Sequence, residues 1–220
     1  MGDKMENIIS KINKEKVFNL IIILIVIALY IVVGMFIYSS FRERKRSEIT
    51  HNIIEKVDKQ IEEIIRENND SNNNNNNHVT IDEIKVEYNN IEYTVLGKIN
   101  IKKINIYEPI LKENTKGAYD VSAVKISGPR LNDYGNVTIG GHNYMKGNFF
   151  IKINKLVKDD IITITDLTGN SVDYYVYDYG ITTIDDANYL AQPNSKVKQI
   201  TLVTCTKGGK QRYFVKARAK

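Results

Sequence analysis

Nineteen consecutive residues, Leu20 to Tyr38, carry no charge and consist almost entirely of Ile, Leu, Val and aromatic side chains. As a helix at about 1.5 Å per residue the run reaches roughly 28 Å, close to the ~30 Å hydrocarbon thickness of a bilayer. A buried core helix of this kind needs a large apolar domain around it, and 220 residues do not supply one. A cleaved signal peptide has a shorter apolar region, about 7–15 residues, followed by small residues. Tyr38-Ser39-Ser40-Phe41-Arg42 is a poor cleavage site by that standard. The sequence therefore predicts one uncleaved membrane span over residues 17–38, in contact with lipid, with Lys16 and Arg42 at its flanks. Upstream stand Lys4, Lys11, Lys14 and Lys16, and downstream Arg42, Arg44, Lys45 and Arg46. With four cations on each side, the positive-inside rule does not assign sidedness.

Beyond the span, residues 39–69 read as an amphipathic helix. Ile49, Ile53, Ile54, Val57, Ile61, Ile64 and Ile65 recur by threes and fours between Glu and Lys, the period of a narrow apolar stripe. Such a helix can stand as a lone stalk, pack on the domain that follows, or pair with a second copy as a short coiled coil. Residues 70–78 include six consecutive Asn, Asn72 to Asn77. A tract with nothing to bury cannot offset the entropy of ordering it, so it reads as a linker. The globular domain then occupies residues 79–220.

Charge and composition narrow what that domain does. Residues 1–78 hold 11 Lys+Arg and 11 Asp+Glu, so the whole net charge of +5 lies in residues 79–220. A modest positive balance suits an anionic neighbourhood. The charges are scattered, with no basic run interleaved with aromatics, which argues against nucleic acid. One Cys excludes an internal disulfide framework and a Cys-based zinc site, and three dispersed His leave little for another metal cage.

Within the domain, alternating and β-branched runs dominate. Gly97–Tyr107, Asn136–Ile139, Ile161–Thr165, Ser171–Tyr177, Gln199–Thr204 and Arg212–Ala217 all read as strands. Ser127-Gly128-Pro129, Thr168-Gly169-Asn170 and Lys207-Gly208-Gly209-Lys210 read as turns. Helical pattern is confined to short pieces near residues 149–157 and 185–191. Seven or eight strands in about 140 residues predict a mainly β fold, a closed or nearly closed barrel, because closure removes exposed edges.

Three residues carry chemistry if they meet. Cys205 ends a strand, Arg212 opens the next one after a Lys/Gly-rich loop, and His142 follows Gly140-Gly141 at the end of its own strand. Taken singly, each has an ordinary structural reading: a buried thiol, a satisfied imidazole, a strand-end charge. Together they supply acyl transfer. A thiolate attacks, a nearby cation favours that thiolate, the imidazole moves protons to and from amines, and the guanidinium holds a developing oxyanion. The competing reading is a membrane-tethered module that binds peptide or wall polymer without making bonds.

Thr201 to Cys205 resembles the TLxTC signature of sortases, the membrane-anchored cysteine transpeptidases of Gram-positive bacteria. The order of features is similar too: span, β domain, Gly141-His142 about sixty residues before the Cys, and Arg212 a short loop after it. Gly97 to Ile110 resembles the early strand pair of that family, with Lys102 where a Pro is usual. The resemblance covers roughly Gly97 to Ala217. It implies an eight-stranded sortase β-barrel in which Cys205 attacks the Thr–Gly carbonyl of an LPxTG-like sorting motif. His142 would be the general acid/base, Arg212 the oxyanion and positioning residue, and Thr204 a residue lining the peptide groove. The acceptor would be an amine of a cell-wall precursor or a pilin Lys, and the domain would lie outside the cell, with residues 1–16 in the cytoplasm. The thirteen residues from Asp185 to Val197 are short for the subclass with a long helix there, and no Asp-Pro-aromatic lid motif precedes the domain, which disfavours a pilin-polymerising subclass. No cofactor is expected. Asp185 and Asp186 are the one suggestion of the calcium site some members hold, and two adjacent Asp are ordinary at a helix start.

Overall fold

In the computed structural model, residues 2–71, 81, 83–88, 90–143, 150–193 and 196–220 are described. Residues 72–78 of the expected linker lie outside them. Helix α1 covers Gly2–Ser71, and within it the chain divides into two compact units, residues 1–45 and 46–220.

The first unit is helical. Its most apolar 18 residues have a mean hydropathy of 3.3, and none of that stretch is buried inside the protein, so this helix is long and apolar enough to cross a membrane. Side chains such as Tyr30, Val32 and Met35 are fully displayed, with Tyr30 73% exposed. In water that display has nothing to recommend it, and in hydrocarbon it costs nothing.

The second unit is a β-barrel with the end of α1 laid on it. Nine strands form one sheet: β1 Ile84–Tyr88, β2 Ile91–Ile101, β3 Ile106–Leu111, β4 Ala123–Ser127, β5 Gly135–Gly141, β6 Ile161–Asp166, β7 Ser171–Thr183, β8 Lys198–Thr206 and β9 Gln211–Ala219. Their order is β1-β2-β3-β4-β5-β8-β9-β7-β6, and β2 also pairs with β6. That last pairing closes a ring of eight strands and leaves β1 as a flap on β2. The pairs β3–β4 and β5–β8 are parallel and the others antiparallel. The strand pattern called for a closed or nearly closed barrel of seven or eight strands and the resemblance for eight, and a closed ring of eight is what forms.

Alternation along the strands decides which side chains fill it. Ile99, Ile101, Ile139, Ile162, Ile164, Tyr174, Val176, Ile200, Leu202, Val215 and Ala217 share one interior cluster, plugged by Phe150, Ile153 and Leu156 from the 3-10 turn Phe150–Lys155 and its end. The run Gly97–Tyr107 is not one strand as its alternation suggested. A 3-10 turn at Lys102–Ile104 ends β2, and Asn105 takes a left-handed conformation at φ 61° to start β3. The alternation persists through the turn because both Ile104 and Ile106 must be buried.

A second apolar cluster lies outside the ring. Ile53, Val57 and Ile61 of α1 pack there with Val86, Val95, Leu111, Ala118, Val121, Val124 and Leu167. Of the three uses open to the apolar stripe, packing on the barrel is the one it serves in this unit. Each buried Val or Ile contributes about 1.5–3 kcal/mol of transfer free energy.

Candidate active site

The site is built at one rim of the barrel, where β5, β8 and β9 end side by side. β8 lies between a parallel and an antiparallel neighbour, so Gln199 to Thr204 are all buried, and at this end the strand first reaches partial exposure at Cys205. Across the β8–β9 ladder Cys205 is the register partner of Arg212. Across β5–β8 Gly141 is the partner of Thr204, which places His142 one residue past the ladder on the side of Cys205. His142, Cys205 and Arg212, distant in sequence, thus stand at the same level on three neighbouring strands.

Backbone contacts fix each of them. The β8–β9 turn has Lys207, Gly208 and Gly209 at φ of 47°, 65° and 89°, a left-handed run that Gly tolerates without steric cost. It aims the Gly209 carbonyl back at Arg212, whose Nη1 donates to it at 3.0 Å and to Gln211 O at 3.3 Å. At the end of β5, the side-chain amide of Asn143 donates to Cys205 O at 2.5 Å, and Thr204 Oγ1 donates to Gly141 O at 2.7 Å. Thr204, expected to line the peptide groove, is instead only 5% exposed, its hydroxyl spent on tying the two strand ends together. The glycines before His142 have a reason in packing. A Cβ on Gly141 would stand 2.6 Å from Phe150 Cγ, and one on Gly140 3.1 Å from the Tyr119 ring.

Around the half-buried imidazole lie charges the sequence did not single out. His142 Nε2 is 3.4 Å from Asp120 Oδ1, at the long end for a hydrogen bond, and the Tyr119 ring is tilted against it at 5.5 Å between centroids. Burial lowers the His142 pKa below its usual value; Asp120 pulls the other way, while Arg46 and Lys116 add to the depression. The Tyr119 hydroxyl is pushed up chiefly by burial, then by Cys205 and Tyr189, against the opposing field of Arg212. Tyr119 therefore stands among all three of the predicted residues. Tyr119 and Asp120 close the short helix α2, Lys116–Tyr119, whose Thr115 cap accepts from Ala118 N at 3.3 Å. One turn of helix leaves no periodicity to read, so only that Thr cap signalled it.

A sortase-domain family model matches residues 99–220, more than half of the chain. The chain belongs to the sortase family. It is similar to a sortase A of Bacillus anthracis, 24% identical over an alignment of 217 residues that covers 92% of this chain and 94% of that protein. It is also similar to a sortase A of Listeria monocytogenes, 27% identical over 128 residues, covering 56% of this chain and 55% of the other. Among solved structures, a Clostridium perfringens sortase D5 transpeptidase superposes with a TM-score of 0.58 at 24% identity, over 79% of this chain and 99% of that one. As a sortase the chain is a cysteine transpeptidase that works on sorting-signal proteins and an amine acceptor.

Elsewhere in this sortase the loop from β7 to β8 is held down by polar contacts. Buried Asn136 donates to the carbonyls of Tyr189 and Ala191, and Gln192 Oε1 accepts from Asn136 N at 2.7 Å. Asp186 spends its carboxylate locally, accepting from Thr182 Oγ1 and from Asn188 N at 2.9 Å. Among the described residues, no group of three or more His, Cys, Asp or Glu side chains is gathered as for a metal ion.

Proposed function

We propose that this sortase cleaves an LPxTG-like sorting motif between Thr and Gly and passes the acyl group to an amine of the cell wall or a pilin Lys. The Cys205 thiolate attacks the Thr carbonyl carbon. A C–S bond forms as the carbonyl electrons move onto oxygen, where the Arg212 guanidinium meets the negative charge. Collapse of that intermediate breaks the C–N bond, and protonated His142 gives its proton to the leaving amine, leaving a thioacyl enzyme. The acceptor amine then loses a proton to His142 and attacks the thioester. The new C–N bond forms, the C–S bond breaks, and the thiolate and imidazolium are restored. Thiol, imidazole and guanidinium fill every role, so no cofactor is required.

The observation that carries this reading is the register: Cys205 opposite Arg212, and His142 one step past the pair Gly141–Thr204. The same reading implies sidedness. Sorting signals and wall amines meet outside the cell, so residues 1–16 lie in the cytoplasm, residues 17–38 span the membrane, and the domain is extracellular.

The test is mass spectrometry of the full chain in detergent, incubated with a pentapeptide library and an amine acceptor. A thioacyl adduct on Cys205 and an amine-linked product are expected. Cys205→Ala is expected to lose both, with turnover down by about a thousand-fold or more. Binding without an adduct would favour a tethered binding module, and unchanged turnover by Cys205→Ala would remove the thiol from the mechanism.

A further inference from the structure

The segment that touches His142 is short and is fastened from outside as well as by its own backbone. Helix α2 is a single turn, and backbone bonds from Asp120 N to Lys116 O and from Val121 N and Ser122 N to Ala118 O carry it to its end at Ser122. Two side-chain hydrogen bonds tie that end to other elements. Ser122 Oγ donates to Pro109 O at 2.7 Å, which fastens it to β3. Thr50 Oγ1, on α1, donates to Val121 O at 2.6 Å in a buried contact 71 residues away in sequence. Beneath that bond, Ile53 and Val57 of α1 share an apolar cluster with Ala118 and Val121. The residues flanking Val121 on its N-terminal side are Asp120, 3.4 Å from the imidazole, and Tyr119, ring to ring with it.

We propose that Asp120 is a positioning residue for His142, and that helix α1 sets where Asp120 stands through the Thr50–Val121 hydrogen bond and the apolar contacts below it. This rests on the transpeptidase reading for its consequence but not for its measurement. A carboxylate at Nε2 favours the tautomer that keeps a proton there, which leaves Nδ1 as the nitrogen open to transfer. It also opposes the loss of charge that burial imposes on the ring, so more of the imidazolium survives near neutrality. The other charged and titratable groups facing this imidazole are Lys116 on α2, which shares Asp120 through Oδ2 at 3.3 Å, Arg46 on α1, and the Tyr119 hydroxyl, with Cys205 and Arg212 beyond that ring. The Lys116 side chain is 86% exposed, so its hold on Asp120 is weak. Helix α1 is in this view part of the catalytic support, and the apolar stripe it lays on the barrel serves the chemistry as well as stability.

The chain has three His, at 51, 78 and 142, so selective labelling with His51 and His78 changed to Gln lets NMR follow the His142 titration in the full chain without any substrate. Asp120→Asn is expected to move the His142 midpoint to lower pH. Thr50→Val keeps the shape and removes the hydroxyl, and is expected to move it in the same direction by less. Thr50→Ser is expected to restore it. With a sorting-motif peptide, kcat/KM at pH 7 is expected to fall about ten-fold in Asp120→Asn, the equivalent of one charge-assisted hydrogen bond. An unmoved midpoint in Asp120→Asn would overturn the proposal. A Thr50→Val protein that melts lower but titrates like wild type would overturn the part assigned to α1. Absence of turnover by every form, with the midpoints moving as stated, would sink the transpeptidase reading and leave this one standing.

Discussion

Cys205 and Arg212 face each other as register partners across β8 and β9, and the covalent path between them is the turn Thr206 to Gln211. The turn does two things at once: it returns the chain so that Arg212 stands opposite Cys205 in the ladder, and through the Gly209 carbonyl it holds the Arg212 guanidinium. Gly209 sits at φ 89°, and a Cβ there would meet nothing within 4 Å. Space is therefore not the constraint; backbone conformation is. Gly209→Val is expected to cost about 1–3 kcal/mol of local strain. The turn can relieve that strain by flattening, which withdraws the carbonyl from Arg212. The expected result is a fall of about ten-fold or more in kcat/KM with a small change in melting temperature, read by peptide-cleavage kinetics alongside thermal melts. Equal activity would show that Arg212 does not depend on this carbonyl.

Buried Glu108 predicts a pH dependence of stability. Its side chain is 3% exposed on β3, and burial raises its pKa to about 7 against the pull of Arg46 and of the Ala123 N–H. The unfolded chain releases this proton near the ordinary Glu value of 4.5, while the fold keeps it up to about 7. Between those limits the folded state binds more protons, so its stability is greatest at the acid end of that window, falls as pH rises through it, and levels off above. Glu108→Gln keeps an acceptor for the Ala123 N–H and removes the titration. Its melting temperature relative to wild type is expected to rise between about pH 5 and pH 8, by an amount equivalent to a few kcal/mol at most. A constant difference across that range would show that Glu108 does not titrate there.

The barrel was legible because its strands alternate. The interior positions on β8 and β9, Ile200, Leu202, Val215 and Ala217, are the ones the period-two pattern marks. Cys205, His142 and Arg212 were legible as candidates because each ends or opens a strand, with glycines just before His142 and in the turn between the other two. Asp120 and Tyr119 were not, since a one-turn helix has no period and their role depends on a contact made in space with a residue more than twenty positions later. β4 was missed for a related reason: Ala123–Ser127 is short, and its first two positions are both buried, so it does not alternate. The groove role for Thr204 came from the family resemblance alone, and strand parity turns this residue away from Cys205, onto the Gly141 carbonyl.

The stripe on α1 was legible as amphipathic, while its partner was not, because the same spacing serves a stalk, a coiled coil or a packed helix. The distinction has a measurable consequence. Ile53 is fully buried between α1 and the barrel, and Ile53→Ala removes three carbons from a cluster that includes Ala118 and Val121. The expected cost is about 2–5 kcal/mol, the transfer term plus the cavity left behind. Glu63, on the exposed side of the same helix, changed to Ala is expected to stay within about 0.5 kcal/mol of wild type. Of the chain's 14 Tyr, 12 fall in residues 79–220, and it has no Trp, so near-UV circular dichroism of tyrosine reports chiefly the barrel. If α1 is integral to the domain, Ile53→Ala lowers the tyrosine melting transition and Glu63→Ala leaves it in place. If α1 is a stalk that the barrel does not need, both variants melt with wild type, and the buried stripe has no share in the stability of the fold that carries Cys205.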